Sequence, residues 1–116
     1  MRTFRILSVV AVILVALVVS ASDRRSFDKS IETVWDEAVK ATRDAELELI
    51  DSDRSEHWFI VETPKKSLAK TVSFEVRLEQ AGDHTNVLTR DLEGAGSKKM
   101  QKTQAAFFDA LEKRMR

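Results

Sequence analysis

A chain of 116 residues with one proline, three glycines and no cysteine has room for a single small domain. That domain must be held by its apolar core, without a disulfide frame or a cysteine-built metal site. Nineteen basic residues balance nineteen acidic ones, so there is no basic excess of the kind that a nucleic-acid partner calls for. A third of the residues are charged, but the apolar ones recur in regular patterns, which excludes a disordered polar chain.

Arg2 and Arg5 lead into an apolar run, Ile6 to Val19, broken only by Ser8. Extended to Ala21 it is sixteen residues long, short against the roughly 20 residues of a bilayer-spanning helix and long for the core of a signal. Val19-Ser20-Ala21 suits a signal peptidase cutting before Ser22. Val and Leu dominate the run, and no helix breaker stands near that cut. Two readings stay open: residues 1–21 as a cleaved signal peptide, or residues 6–21 as a retained anchor in the inner membrane. Arginines before the run place the start in the cytoplasm. Both readings export residues 22–116, a single domain that is periplasmic or tethered. With no cysteine to acylate, the chain departs from a conventional bacterial lipoprotein. The exported 95 residues hold 17 Lys and Arg against 19 Asp and Glu, a formal charge of −2.

Arg25 to Asp28 reads as a short lead-in strand with Phe27 inward. Asp28 or Ser30 then caps a helix by accepting a hydrogen bond from a free N–H of its first turn. Ile31, Val34, Trp35, Ala38 and Val39 fall on one helical stripe, and the helix should run to about Ala45. Leu47 and Leu49 alternate with Glu46 and Glu48 as in a half-buried strand. Residues 51–56 (Asp-Ser-Asp-Arg-Ser-Glu) read as a polar turn, and His57 to Thr63 as the returning strand, stopped by Pro64. Thr71 to Glu79 alternates strictly, with Val72, Phe74, Val76 and Leu78 on one face. Gly82-Asp83 marks a hairpin, Thr85 to Leu92 its second strand. After the Gly94-Ala95-Gly96 break, Ser97 caps a closing helix with the stripe Met100, Gln104, Phe107, Phe108, Leu111 and Met115. Such strict alternation belongs to an antiparallel sheet with one covered face. The expected fold is α+β: a two-layer sandwich of four to five strands with two helices on one face, in the order (β)-α-β-β-β-β-α.

Few residues suggest chemistry. Asp51, Asp53, Ser55 and Glu62 have the spacing of a calcium loop, but Glu56 stands where such a loop needs glycine, so a solvated turn is the expectation. His57 and His84 each stand at a turn–strand boundary. With no cysteine, zinc would need scattered carboxylates beside them. No nucleophile motif is present. No catalytic residue, metal or cofactor is therefore assigned. Trp58 and Ile60 share one face of their strand. If Phe59 and Val61 point to the core, this pair lies on the open side of the sheet, where apolar residues mark a partner site. In the opposite register the pair is core. Lys65, Lys66 and Lys70, joined by Lys98, Lys99 and Lys102, form either a solvated face or a contact with anionic headgroups.

The export segment, the helix over 30–39 (Ser-Ile-Glu-Thr-Val-Trp-Asp-Glu-Ala-Val), the strand over 74–78 (Phe-Glu-Val-Arg-Leu), the Gly82-Asp83 turn and the closing helix make a set. Over residues 25–115 it resembles small bacterial envelope proteins with a domain similar to the lipoprotein C component of the outer-membrane β-barrel assembly machine. The resemblance implies a non-enzymatic envelope module and transfers no catalytic residue. The functional expectation is a domain that binds another envelope protein through its sheet face or an edge strand, with Trp58, Ile60, Lys65 and Lys66 as binding residues. The alternative is a carrier of lipid or another apolar ligand, with a pocket between the sheet and the closing helix.

Overall fold

The computed structural model describes residues 23–65, 71–92 and 98–116. The segment 1–21 with its cleavage position, the lysines Lys66 and Lys70, and the cap Ser97 lie outside the described residues. No helix among the described residues is long and apolar enough to cross a membrane.

Five strands and two helices follow one another as β1 (Asp23–Phe27), α1 (Ile31–Asp44), β2 (Glu48–Asp53), β3 (Trp58–Glu62), β4 (Ser73–Ala81), β5 (His84–Asp91) and α2 (Lys98–Arg114). The strands form one antiparallel sheet in the order β1-β5-β4-β3-β2. The two helices lie beside each other on one face. This is the expected α+β sandwich, with the lead-in strand making the fifth member of the sheet.

Helix α1 starts where its cap dictates. Ser30 is extended, and its hydroxyl accepts a hydrogen bond from the Thr33 N–H at 3.4 Å, satisfying a donor that the first turn leaves free. The helix ends in a Schellman motif: the Glu46 N–H donates to the Arg43 carbonyl and the Leu47 N–H to the Thr42 carbonyl, both at 2.9 Å. That closure requires a left-handed residue, and Glu46 takes it at φ 60°, where glycine is usual. Leu47 is thereby turned into the core. At the opposite end of the sheet, Gly82 at φ 65° closes the β4–β5 hairpin, with Ala81 paired to His84.

The core fills the space between sheet and helices. Phe59 and Val61 come from β3 and Phe74, Val76 and Leu78 from β4. Val34, Trp35 and Ala38 come from α1, and Met100, Phe107, Phe108 and Leu111 from α2. The rings meet edge to face: Trp35 on Phe59 at 5.4 Å, Phe59 on Phe107 at 6.3 Å, Phe107 on Phe108 at 5.5 Å. This geometry lets positive ring edges meet negative faces, worth about 0.5–1.5 kcal/mol per pair beyond the area buried. Arg114 joins the helices, bonding the Asp44 carboxylate through two nitrogens and lying 3.5 Å from Glu37.

The polar segment 51–56 is only partly the expected turn. Asp51 to Asp53 remain in β2, and the reversal is confined to Arg54–His57. A bulge between Leu49 and Asp51 inserts Ile50 as an extra residue, which carries the strand on through a stretch whose acids face solvent. Leu49 opposes Val61 on the helix side but stays 42% exposed, because β2 is the sheet's last strand and the helices do not cover it fully.

Candidate functional site

The strand register settles which residues share the open face of the sheet. Phe59 and Val61 are fully buried, so Trp58 and Ile60 point the other way and are half-buried. Trp58 lies opposite Arg77, Arg77 opposite Leu88, and Leu88 opposite Arg24. On its other side Trp58 opposes Asp53. The next row runs Arg90, Glu75, Ile60, Asp51. Three half-buried apolar side chains, Trp58, Ile60 and Leu88, are thus set among charges. The arginines Arg24, Arg90 and Arg77 stand on β1, β5 and β4, and the acids Glu48, Asp51 and Asp53 occupy the β2 end.

Glu75 organises the middle of this face. Its carboxylate, with only 12% of the side chain exposed, lies 3.4 Å from the Arg77 guanidinium and 3.7 Å from that of Arg90. Both arginines remain open to solvent, so the group is an anchored ion-pair network with free donors on its outer side. Beside it lies a shallow recess of about 490 Å³ lined by Asp23, Arg24, Glu75, Arg77, Leu88, Thr89 and Arg90. The arrangement suits a partner that brings an apolar side chain against Trp58 or Leu88 and acceptors to the arginines.

The other residues singled out in the sequence lie elsewhere. Asp53 caps the β2–β3 turn, accepting hydrogen bonds from the Ser55 hydroxyl at 2.7 Å and the Glu56 N–H at 3.2 Å. These donors, the hydroxyl first, hold its carboxyl below the usual aspartate range. Glu62, which has the spacing of the last ligand of a calcium loop, sits in β3 opposite Glu48. His57 takes φ 60° and sets its ring edge-on to Trp35 at 6.4 Å. His84 stands 3.5 Å from Asp83 at the hairpin. Among the described residues no three His, Asp or Glu side chains are placed to hold a metal ion. Lys65 follows Pro64 past the end of β3 and is exposed. Pro64 and Thr63 line an open recess of about 350 Å³ with Lys99 and Lys102. This basic corner is therefore separate from the Trp58–Ile60 face.

Leu88, Arg90 and Arg24 were not picked out from the sequence as part of the face. The signal for Leu88 was present: from a two-residue turn at Gly82-Asp83, each step back along β4 meets one step forward along β5, so Arg77 must meet Leu88. The pairing of β1 with β5 has no such local cue.

No family model matches the chain, and no curated protein matches it. Among solved structures it is similar to CalU16 from Micromonospora echinospora, with 12% identity over 80% of this chain and 81% of that one, at a TM-score of 0.46. It is also similar to Ara h 8.0201, with 12% identity over 81% and 94% of the two chains and a TM-score of 0.47. A DUF4468 family protein from Bacteroides ovatus shares 10% identity over 60% and 52% of the chains, with a TM-score of 0.39. Likenesses this loose carry no functional weight. They include no lipoprotein of the assembly machine, so the resemblance seen in the sequence stands only at the level of a small α+β domain.

Proposed function

We propose that this chain is a non-enzymatic, exported envelope module that holds another envelope protein on its sheet. The apolar run 6–21, led by Arg2 and Arg5, motivates the export half of the reading, as cleaved signal or inner-membrane tether. One observation carries the other half: Trp58, Ile60 and Leu88 stand half-buried on the uncovered face, among Arg24, Arg77, Arg90 and Glu75. Aromatic and arginine side chains set together are the groups that anchor protein interfaces. The carrier reading is weaker, because the space between the sheet and α2 is occupied by Phe59, Phe74, Phe107, Phe108 and Met100, all essentially inaccessible. The basic corner at Lys65, Lys99 and Lys102 supplies a secondary contact with anionic headgroups.

Site-specific photocrosslinking in cells tests the reading. A photoreactive side chain at position 60 or 88 should capture one reproducible envelope protein, and the same group at Gln101, on the exposed side of α2, should not. Equal capture from all three positions, or a bound lipid and no protein, would reject it.

A further inference from the structure

We propose that the outer edge of β2 receives an extended cationic segment of another protein as a sixth strand. This rests on the interaction-module reading and names the edge and the chemistry of its occupant. β2 ends the sheet, and among the described residues no strand lies on its outer side, so its outward backbone groups are open to pairing, apart from the Ser52 N–H, which donates to the Asp51 carboxylate at 2.8 Å. Leu49 and Ile50 on that strand are 42% and 53% exposed, two of the three most exposed large apolar residues described. Between β2 and α1 runs an open groove of about 530 Å³ to which Val39, Thr42, Leu47, Leu49 and Ile50 contribute. An added strand would lay every second side chain into this groove.

Charge decides what those alternate side chains must be. Pairing with β3 places Glu48, Asp51 and Asp53 opposite Glu62, Ile60 and Trp58, on the face away from the helices. The outward row of the edge is thus wholly acidic, and neither Glu48 nor Asp51 is in an ion pair with a described cation. Arg43 of α1 lines the groove together with Glu48 but makes no ion pair with it, so Asp51 and Asp53 are left to the occupant. A second copy of β2 is rejected, since like charges would lie across the junction. The β1 edge of a second copy fits poorly: on the face that would meet the acids it carries one cation, Arg24, beside the uncharged Ser26, while Arg25 lies on the helix side, held by Asp23 and Glu112. The matching occupant alternates apolar side chains, facing the groove, with lysine or arginine facing the acids.

The test is amide hydrogen exchange on the full chain in neutral detergent, with a capped octapeptide alternating valine and lysine as the probe. The peptide should slow exchange across residues 48–53 about tenfold at low salt, and the effect should fade as salt is raised. A valine–glutamate peptide should do nothing. The double variant Glu48→Lys/Asp51→Lys should reverse the preference, with a loss of about tenfold in affinity for the lysine peptide. Both positions are exposed, so the fold tolerates the change. The proposal fails if β2 is not protected, if the glutamate peptide protects it equally, or if protection falls on residues 58–60 and 88 instead. It also fails if the edge is protected without peptide by self-association. Failure here, with Trp58→Ala still losing its cellular partner, would leave the open-face reading standing.

Discussion

Trp58 and Phe59 are neighbours in β3, and the sheet sends them to opposite worlds. Phe59 is wholly enclosed, touching Trp35 of α1 and Phe107 of α2. Trp58, one residue earlier, meets Arg77 and Asp53 on a face that neither described helix covers. A period of two along the strand makes the difference, and a slip of one residue would exchange their roles. The inner face supplies the apolar core on which a domain without cysteine must rely. The outer face keeps a large aromatic half open to water.

The largest expected effect tests the covered side. Phe59→Ala should cost about 3–5 kcal/mol in urea denaturation, through lost burial and the cavity left behind. Trp58→Ala should cost under about 1.5 kcal/mol, since the side chain is only half removed from water. Equal losses would erase the contrast between the faces. Glu46→Gly sharpens the register behind it, because the left-handed cap at φ 60° sets how Leu47 and then β2 enter the sheet. Relieving that strain should stabilise the domain by about 1 kcal/mol, read as a rise in urea midpoint. On the open face, Glu75→Ala leaves Arg77 and Arg90 unneutralised and should cost about 0.5–1 kcal/mol, with recovery at high salt.

The smallest effect lies between the helices. The Arg114 hydrogen bond holds the Asp44 carboxyl below its ordinary value of 3.8. A carboxylate whose folded pKa is depressed stabilises the fold above its unfolded pKa. That contribution is lost as pH falls from about 4 through the folded value. Arg114→Ala should therefore move the Asp44 titration, followed by carboxyl NMR, back up toward 3.8. No movement would show that the contact is not held in solution.

Much of the fold was legible because its signals are local. The alternation from Thr71 to Glu79, the Gly82 turn and the stripes of both helices each depend on residues close in sequence. The facing of Trp58 was not legible, because His57 to Thr63 is apolar on both sides and either register buries a good set. Only pairing with β4, which puts Phe59 opposite Val76, decides it. The bulge at Ile50 escaped for a similar reason: acids and serine read as a turn, while an edge strand accepts them on its wet face. The open-face cluster gathers residues from four strands, and a sequence shows that only after the strand order is known.

The most direct measurement compares the full-length protein with its Trp58→Ala variant, recording both capture of the envelope partner in cells and thermal unfolding of the domain. The account predicts that capture is lost while the melting temperature changes little. Undiminished capture, or a domain that unfolds with the substitution, would contradict it.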